Sequence, residues 1–176
     1  MGRGEGDFGG PGRKVRDLVE KIRNDLERVE TAPKLREVYI VVPKELKYSA
    51  SHEWVKIEGK KVRIGITDYA QQQLGDVVFV DLPAVGEQFT AKSTMATIET
   101  ITTVSDITAP LSGEIIEVND SLEHSPEWVN QDPYGKGWIA IIEPADPDEL
   151  KDLLDASAYS ALLGKKITKE YAGFER

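Results

Sequence analysis

Cysteine and histidine, the side chains typical of thiolate nucleophiles and zinc sites, are scarce in this 176-residue chain. The sequence has no cysteine, which excludes a disulfide framework, a thiolate nucleophile and a cysteine-ligated metal site. The two histidines, His52 and His124, lie far apart, and neither has another histidine four residues away. This spacing does not predict a metal site. We expect both histidines to be packing or surface residues, and we predict no enzyme active site.

The most informative segment is a polar turn at residues 99–106, between two stretches in which apolar residues alternate. Thr102 stands at its tip, and a threonine hydroxyl is not nucleophilic without an adjacent base. A primary amine on a long stem would be acylated more readily, but no lysine occurs from Ser93 through Gly135. The sequence therefore predicts a projecting turn that offers no group for covalent attachment.

Short strand patterns with turns between them dominate the chain after its first 40 or so residues, and strands at such close spacing indicate a sandwich or a barrel. Thr67 and Gly75 bracket a predicted short helix, and Asp146 with Pro147 predicts the start of another that runs through Leu154. A further helical turn is predicted around Tyr159. The predicted strands are residues 54–58 and 61–66, joined as a hairpin, then 77–80, 94–98, 104–108, 113–118 and 138–142.

The N-terminal part of the chain has a different pattern. Residues 1–12 contain six glycines and little to bury, which predicts a flexible tail. An amphipathic helix over residues 13–30 and a linker to residue 41 are predicted next, and residues 165–176 read as a polar tail. The helix could pack on the main domain, self-associate or dock a partner. Its apolar stripe consists of Val15, Leu18, Val19, Ile22, Leu26 and Val29.

Composition excludes several classes of function. The net charge of −9 repels phosphate backbones, so we predict no nucleic-acid partner. The longest apolar run, residues 38–42, is far too short to cross a bilayer, so no membrane association is predicted. The first residues fit neither a secretory signal nor an organelle import signal. We therefore expect a cytoplasmic protein.

A series of sequence blocks, in the same order throughout, resembles the H protein of the glycine cleavage system. The resemblance runs from about residue 42 to residue 163 and leaves the N-terminal helix outside. It implies a mainly β, lipoyl-type barrel-sandwich hybrid with short flanking helices over residues 42–164, preceded here by an extra helix. The blocks are residues 42–49, 52–54, 65–71, 74–76, 78–83, 109–114, 118–119, 132–134 and 137–138.

The resemblance also implies where a lipoyl group would be attached. In this family the lipoylated lysine lies on a hairpin tip, with an acidic residue three positions before it and glycines sixteen before and eleven after. Counted from position 102, these markers are Glu99, Gly86 and Gly113. Thr102 therefore occupies the position of the lipoyl lysine. We expect no covalently bound lipoate, although lipoate is the cofactor of the family.

A second implication concerns a surface cleft in which H proteins hold their loaded arm. The corresponding residues here are Ser51, Glu53 and Asp106, and carboxylates suit this role because the aminomethyl adduct is cationic. The alternative is that both acids are ordinary solvated surface groups. Aromatic side chains could stack on a flat ligand, but strand propensity favours packing in the core for Trp54, Trp128, Tyr134 and Trp138.

Taken together, the resemblance implies a non-catalytic carrier scaffold of the aminomethyl shuttle in glycine decarboxylation, unable to be lipoylated. Its implied partners are glycine decarboxylase, aminomethyltransferase, dihydrolipoamide dehydrogenase and lipoate ligase. The competing hypothesis is a binding or regulatory module that keeps this fold and uses the N-terminal helix as its partner interface.

Overall fold

The structure is a computed structural model that describes residues 11–31 and 39–164. The chain divides into two compact units, residues 1–38 and residues 39–176. Three predicted segments therefore lie outside the described residues in whole or in part: residues 1–10 of the N-terminal tail, residues 32–38 of the linker, and the C-terminal tail at 165–176.

The first unit contains helix α1, Pro11–Thr31, which confirms the predicted N-terminal helix. The helix includes Pro11 and Gly12, which had been assigned to the flexible tail. A proline is tolerated in the first turn because the N–H it lacks would have no partner within the helix. The described side chains of α1, residues 12–25, are exposed.

None of the described helices combines the length and the apolar composition that crossing a membrane requires.

Within residues 39–164, nine strands form two antiparallel sheets. The larger sheet has the order β1-β2-β3-β9-β8-β5 and the smaller has the order β4-β6-β7. The strands are β1 (Lys47–Tyr48), β2 (Glu53–Glu58), β3 (Lys61–Ile66), β4 (Val77–Asp81), β5 (Gln88–Phe89), β6 (Thr94–Thr100), β7 (Val104–Thr108), β8 (Gly113–Val118) and β9 (Ala140–Pro144).

The main core combines side chains from both sheets. Alternate residues of β3, such as Val62 and Ile64, are buried together with Ile98 of β6, Ile115 of β8 and Ile142 of β9. Alternation with a period of two places every second side chain of a strand on the inner face. The two sheets thus form a mainly β structure with a shared apolar core, as predicted.

A second apolar cluster forms beside β1 and β2. Ile40 is buried in this cluster with Tyr48, Trp54 and Tyr159. The backbone N–H of Val41 donates to Asp68 Oδ2 at 2.8 Å. Residues 40 and 41, which the sequence had assigned to the linker, therefore belong to the folded domain.

Most predicted strands are confirmed, but the last one is displaced. It was predicted at residues 138–142 and lies at Ala140–Pro144, because Trp138 still belongs to the preceding turn and its N–H donates to Gly135 O at 3.2 Å. The two-residue strands β1 and β5 were missed, since two residues cannot display an alternation.

The helical predictions are confirmed in part. Helix α2 (Asp68–Leu74) has the predicted cap, with Thr67 Oγ1 accepting from Ala70 N, and it ends at Gly75. The helix predicted to start at Asp146 is wrong in its second half: a 3-10 helix, Pro147–Asp152, stops before Leu154. Two unpredicted short helices are the 3-10 helix Asp120–Glu123 and α3 (Trp128–Gln131), and α4 (Ala156–Leu163) covers the predicted turn near Tyr159.

Leu154 is extended for a tertiary reason. Its backbone exchanges two hydrogen bonds with Tyr48 of β1, at 2.8 Å and 2.7 Å. This bridge satisfies backbone groups that a helix would have paired locally.

Candidate functional site

The hairpin of β6 and β7 ends in a three-residue turn, residues 101–103, with Thr102 exposed in its middle. Thr100 closes the turn: its N–H donates to Thr103 O at 2.9 Å, and its Oγ1 accepts from Thr103 N at 3.1 Å. Ile101 in the same turn is 84% exposed. The turn is therefore held by backbone and by Thr100, while the side chain of Thr102 is not needed to form it.

Each of the two marker glycines has a structural reason of its own. Gly86 has a φ of +92°, which side chains with a Cβ rarely adopt, and its N–H donates to Ile115 O at 2.8 Å. At Gly113, a Cβ would lie 2.4 Å from the backbone oxygen of Glu143 on β9. These glycines are required by the fold itself, whichever residue occupies the hairpin apex.

Glu99, the acidic marker, occupies the middle strand of the small sheet. It pairs with Phe79 of β4 on one side and with Val104 of β7 on the other. Phe79 and Val104 are 48% and 63% exposed, so the residues beside the apex form an outward-facing and partly apolar surface.

Beside this hairpin lies a cleft of about 220 Å³ whose lining includes all three residues predicted for it, Ser51, Glu53 and Asp106. They come from two places in the sequence, the segment that leads into β2 and the middle of β7. The structure thus brings together residues separated by more than 50 positions. Further lining residues are His52, Tyr69 and Ile98.

Glu53 is 2% exposed and forms the buried wall of the cleft. Its Oε2 accepts from the hydroxyls of Ser49 and Ser51, the latter at 2.6 Å. Its Oε1 accepts from Thr108 N at 3.0 Å and from Thr108 Oγ1 at 2.9 Å. Four neutral donors therefore surround this carboxylate, and the alternative of a solvated surface acid is wrong for Glu53.

Asp106 differs from Glu53 in its surroundings. It is exposed on β7, where it pairs with Thr97 of β6. The cleft therefore presents one buried carboxyl group and one that faces solvent. An arrangement of this kind can attract a small cation and still leave a path to bulk water.

Sequence reasoning missed the aromatic side of the cleft, which is built around His52. Its backbone is left-handed, with a φ of +73°, and its Nδ1 is 2.9 Å from the hydroxyl of Tyr159. That hydroxyl is also 2.7 Å from Thr67 Oγ1, and the ring of Tyr69 packs 4.7 Å from the imidazole. One sequence feature could have indicated this side of the cleft: the family-like block at residues 52–54 contains both His52 and Glu53.

Burial lowers the pKa of His52, and the nearby Glu53 opposes this shift more weakly. Burial likewise raises the pKa of Tyr159, against the opposing hydrogen bond from Thr67. Both groups are therefore neutral at neutral pH. His52 lines the cleft, whereas Tyr159 is fully buried behind it as its hydrogen-bonding partner.

The aromatic residues are packing groups, as predicted. Trp54 is 0% exposed, and its Nε1 donates to Pro133 O at 3.0 Å. Tyr134 donates to Val41 O and accepts from Asp68 N. Trp128 and Trp138 are half-buried, and each carries a cation over its ring, Lys136 at 4.2 Å and Arg63 at 4.8 Å respectively.

In residues 11–31 and 39–164, no three histidine, aspartate or glutamate side chains converge in a way that could hold a metal ion.

Comparison with known proteins gives a consistent result. The family model "Glycine cleavage H-protein" matches residues 46–166. Proteins named glycine cleavage system H protein from Geobacillus thermodenitrificans and Bacteroides thetaiotaomicron are each 54% identical, over 123 and 121 residues. These alignments cover 70% and 69% of this chain, and 97% and 96% of the relatives.

A solved structure agrees with the sequence comparison. The crystal structure of a glycine cleavage system H protein from Mycobacterium marinum is 40% identical, with a TM-score of 0.64. It matches 70% of this chain and 99% of its own. This similarity confirms the lipoyl-type barrel-sandwich fold predicted for the domain. The chain belongs to the glycine cleavage H-protein family.

Proposed function

We propose that this chain is a non-catalytic carrier scaffold of the glycine cleavage type that cannot be lipoylated at the hairpin apex. One observation carries the proposal: Thr102 occupies the exposed apex, and no lysine occurs from Ser93 through Gly135. Covalent attachment of lipoate to a protein requires an amine that can form an amide. A β-branched hydroxyl on a short stem does not fit that requirement.

The cleft supports the carrier part of the proposal. Glu53 and Asp106 line a small cavity beside the hairpin, and carboxylates can stabilise a cationic group that is partly removed from water. By resemblance, this cleft corresponds to the place where an H protein holds its loaded arm. In this chain we propose that the cleft keeps its form without a tethered occupant.

The partners follow from the same resemblance. We propose that the surface around the hairpin docks glycine decarboxylase, aminomethyltransferase and dihydrolipoamide dehydrogenase. Lipoate ligase is a further proposed partner, although this chain gives it no amine to acylate. Docking without a cofactor would make the chain a competitor of lipoylated H proteins for these enzymes.

Intact-mass measurement after co-expression with lipoate ligase, in cells supplied with lipoate, tests the attachment site. We expect the unaltered chain to carry no lipoyl group and Thr102→Lys to gain one. Thr103→Lys is the matched control, because it places the same amine in the same turn one residue away, and it should remain unmodified.

Two outcomes would contradict the proposal. Lipoate found on the unaltered chain would show that the scaffold still carries its cofactor. Failure of Thr102→Lys to be modified, while an authentic H protein is modified in the same cells, would show that position 102 is not the attachment position.

The second candidate function is a binding or regulatory module that uses α1 as its partner interface. The observation that favours it is that α1 lies outside the family match and exposes Val15, Leu18 and Ile22. Binding of the purified glycine cleavage enzymes to the chain and to Ile22→Glu separates the two functions. The carrier scaffold predicts equal binding, whereas the module predicts loss of binding by the variant.

A further inference from the structure

Helix α1 exposes an apolar stripe over residues 15–22. Val15, Leu18, Val19 and Ile22 have 49% to 57% of their surface exposed in the structure. An isolated helix is marginally stable in water, because most helical stability in proteins comes from packing of an apolar face. We therefore expect another surface to pack against the stripe.

The charges of α1 run against its own dipole. Its first two turns contain Arg13, Lys14 and Arg16 against one acid, Asp17, and its first turn has no acidic residue. The sequence of its last two turns contains Asp25 and two further acids, at positions 27 and 30, against one arginine at position 28. Cations near a helix N-terminus and anions near a C-terminus each cost roughly 0.3–1 kcal/mol. The net charge at each end of α1 is thus of the sign that its dipole does not favour.

The spacing of the stripe indicates what kind of surface would cover it. Successive apolar residues are separated by four, three, four and three positions, which is the heptad spacing of helices that pack side by side. A second helix lying alongside α1 would meet an apolar residue at each of these positions. The residues in the repeat are Val15, Val19, Ile22, Leu26 and Val29.

We propose that α1 pairs in antiparallel orientation with α1 of a second copy of this chain. An antiparallel pair brings the basic first turns of each helix beside the acidic last turns of the other, so that the charges that oppose each dipole become favourable contacts. A parallel pair would place like charges together at both ends. The opposite net charges at the two ends of α1 therefore favour a second α1 as the partner helix, and they favour the antiparallel orientation over the parallel one.

Cysteine cross-linking tests the orientation directly, because the sequence contains no cysteine. Gly12→Cys and Thr31→Cys, each in the full chain, place one thiol at either end of α1 without altering its charges. In an antiparallel pair, like ends are separated by about 30 Å, the length of a 21-residue helix, whereas a disulfide needs Cα atoms within about 7 Å.

On mixing the two variants under mild oxidation, we expect the 12–31 cross-link to form in large excess over 12–12 and 31–31 cross-links. Predominance of cross-links between like ends would overturn the antiparallel proposal, because only a parallel pair brings like ends together.

Sedimentation velocity of the full chain tests the pairing itself. We expect the mass to rise towards twice that of the 19.5 kDa monomer as concentration increases. Ile22→Glu should restore the monomer, whereas Asn24→Glu, which adds the same charge away from the stripe, should leave the association unchanged. Near-ultraviolet circular dichroism confirms that both variants keep the folded β domain. A chain that stays monomeric at all concentrations would overturn the proposal, whichever other surface then covers the stripe.

Discussion

The hairpin apex and the cleft wall belong to one small region but are constrained in different ways. Thr102 at the apex is exposed, and the turn around it is closed by Thr100 and the backbone. Glu53 in the wall is buried and accepts four hydrogen bonds. The apex can therefore change residue at little cost to folding, whereas the wall cannot.

This difference explains how a chain can keep the family fold with threonine at position 102. The marker glycines are required by backbone conformation at Gly86 and by close strand contact at Gly113. They are not maintained by any interaction with the apex. The presence of Gly86 and Gly113 is therefore evidence for the fold alone. Whether a group can be attached covalently at the apex depends on the residue at position 102.

The largest effect is expected from Gly113→Ala. The added methyl group would lie 2.4 Å from the backbone oxygen of Glu143 on β9. β9 cannot move aside freely, because it is paired with β3 and β8 in the larger sheet. We expect the free energy of unfolding to fall by about 2–3 kcal/mol, as measured by urea denaturation. Gly59→Ala is the control: Gly59 has a φ of +66° but open space around it, so the cost there should be about 1 kcal/mol. Equal losses would show that contact with β9 is not what requires glycine at position 113.

Glu53→Gln should have the next largest effect. The amide keeps the size of the side chain but places an NH₂ group where an oxygen accepts from two donors. We expect a loss of about 2 kcal/mol in the free energy of unfolding, because buried polar groups would lose their partners. Asp106→Asn, in the exposed half of the cleft, should change stability by no more than about 0.5 kcal/mol. Similar losses in the two variants would remove the distinction between a buried and a solvated carboxyl group.

A smaller effect on the free energy of unfolding is expected when the pH is lowered, because His52 then becomes protonated more readily in the unfolded chain. Its pKa in the folded protein lies below the ordinary value of 6.5, so between these two values the unfolded chain binds more protons than the folded one. Stability should therefore decrease as pH falls below about 6.5 and should be fully present above it. Urea denaturation as a function of pH measures this slope.

His52→Asn should reduce that slope, because asparagine tolerates the left-handed backbone at this position but does not titrate. His124→Asn, at an exposed position, is the matched control for the replacement of a histidine by asparagine. A slope that persists in His52→Asn would assign the pH dependence to other groups.

The smallest effect is expected for Thr102→Lys measured without lipoate ligase. The new side chain would project from an exposed turn, so the free energy of unfolding should change by no more than about 0.5 kcal/mol. The same urea titration measures this change beside that of Glu53→Gln. A loss of 2 kcal/mol or so would contradict the comparison, because it would show that the apex is constrained as strongly as the wall.

Local sequence patterns predicted much of the fold. The hairpin of β2 and β3, strands β7 and β8, and helix α2 with its cap were all predicted within a residue or so, because alternation and capping act over a few neighbouring positions. Failures occurred where distant contacts decide the conformation. Leu154 is extended because it bridges to Tyr48, more than 100 residues earlier, and no local pattern contains that information.

The sequence by itself determined that the tip of the hairpin contains Thr102 and that no lysine occurs from Ser93 through Gly135, since residue identity needs no coordinates. It also placed the marker glycines and, by resemblance, named the three cleft residues. Only the tertiary structure decided that Glu53 is buried and Asp106 exposed. The physical reason is that Thr108, which donates twice to Glu53, lies 55 positions away and reaches it only when the two sheets pack together.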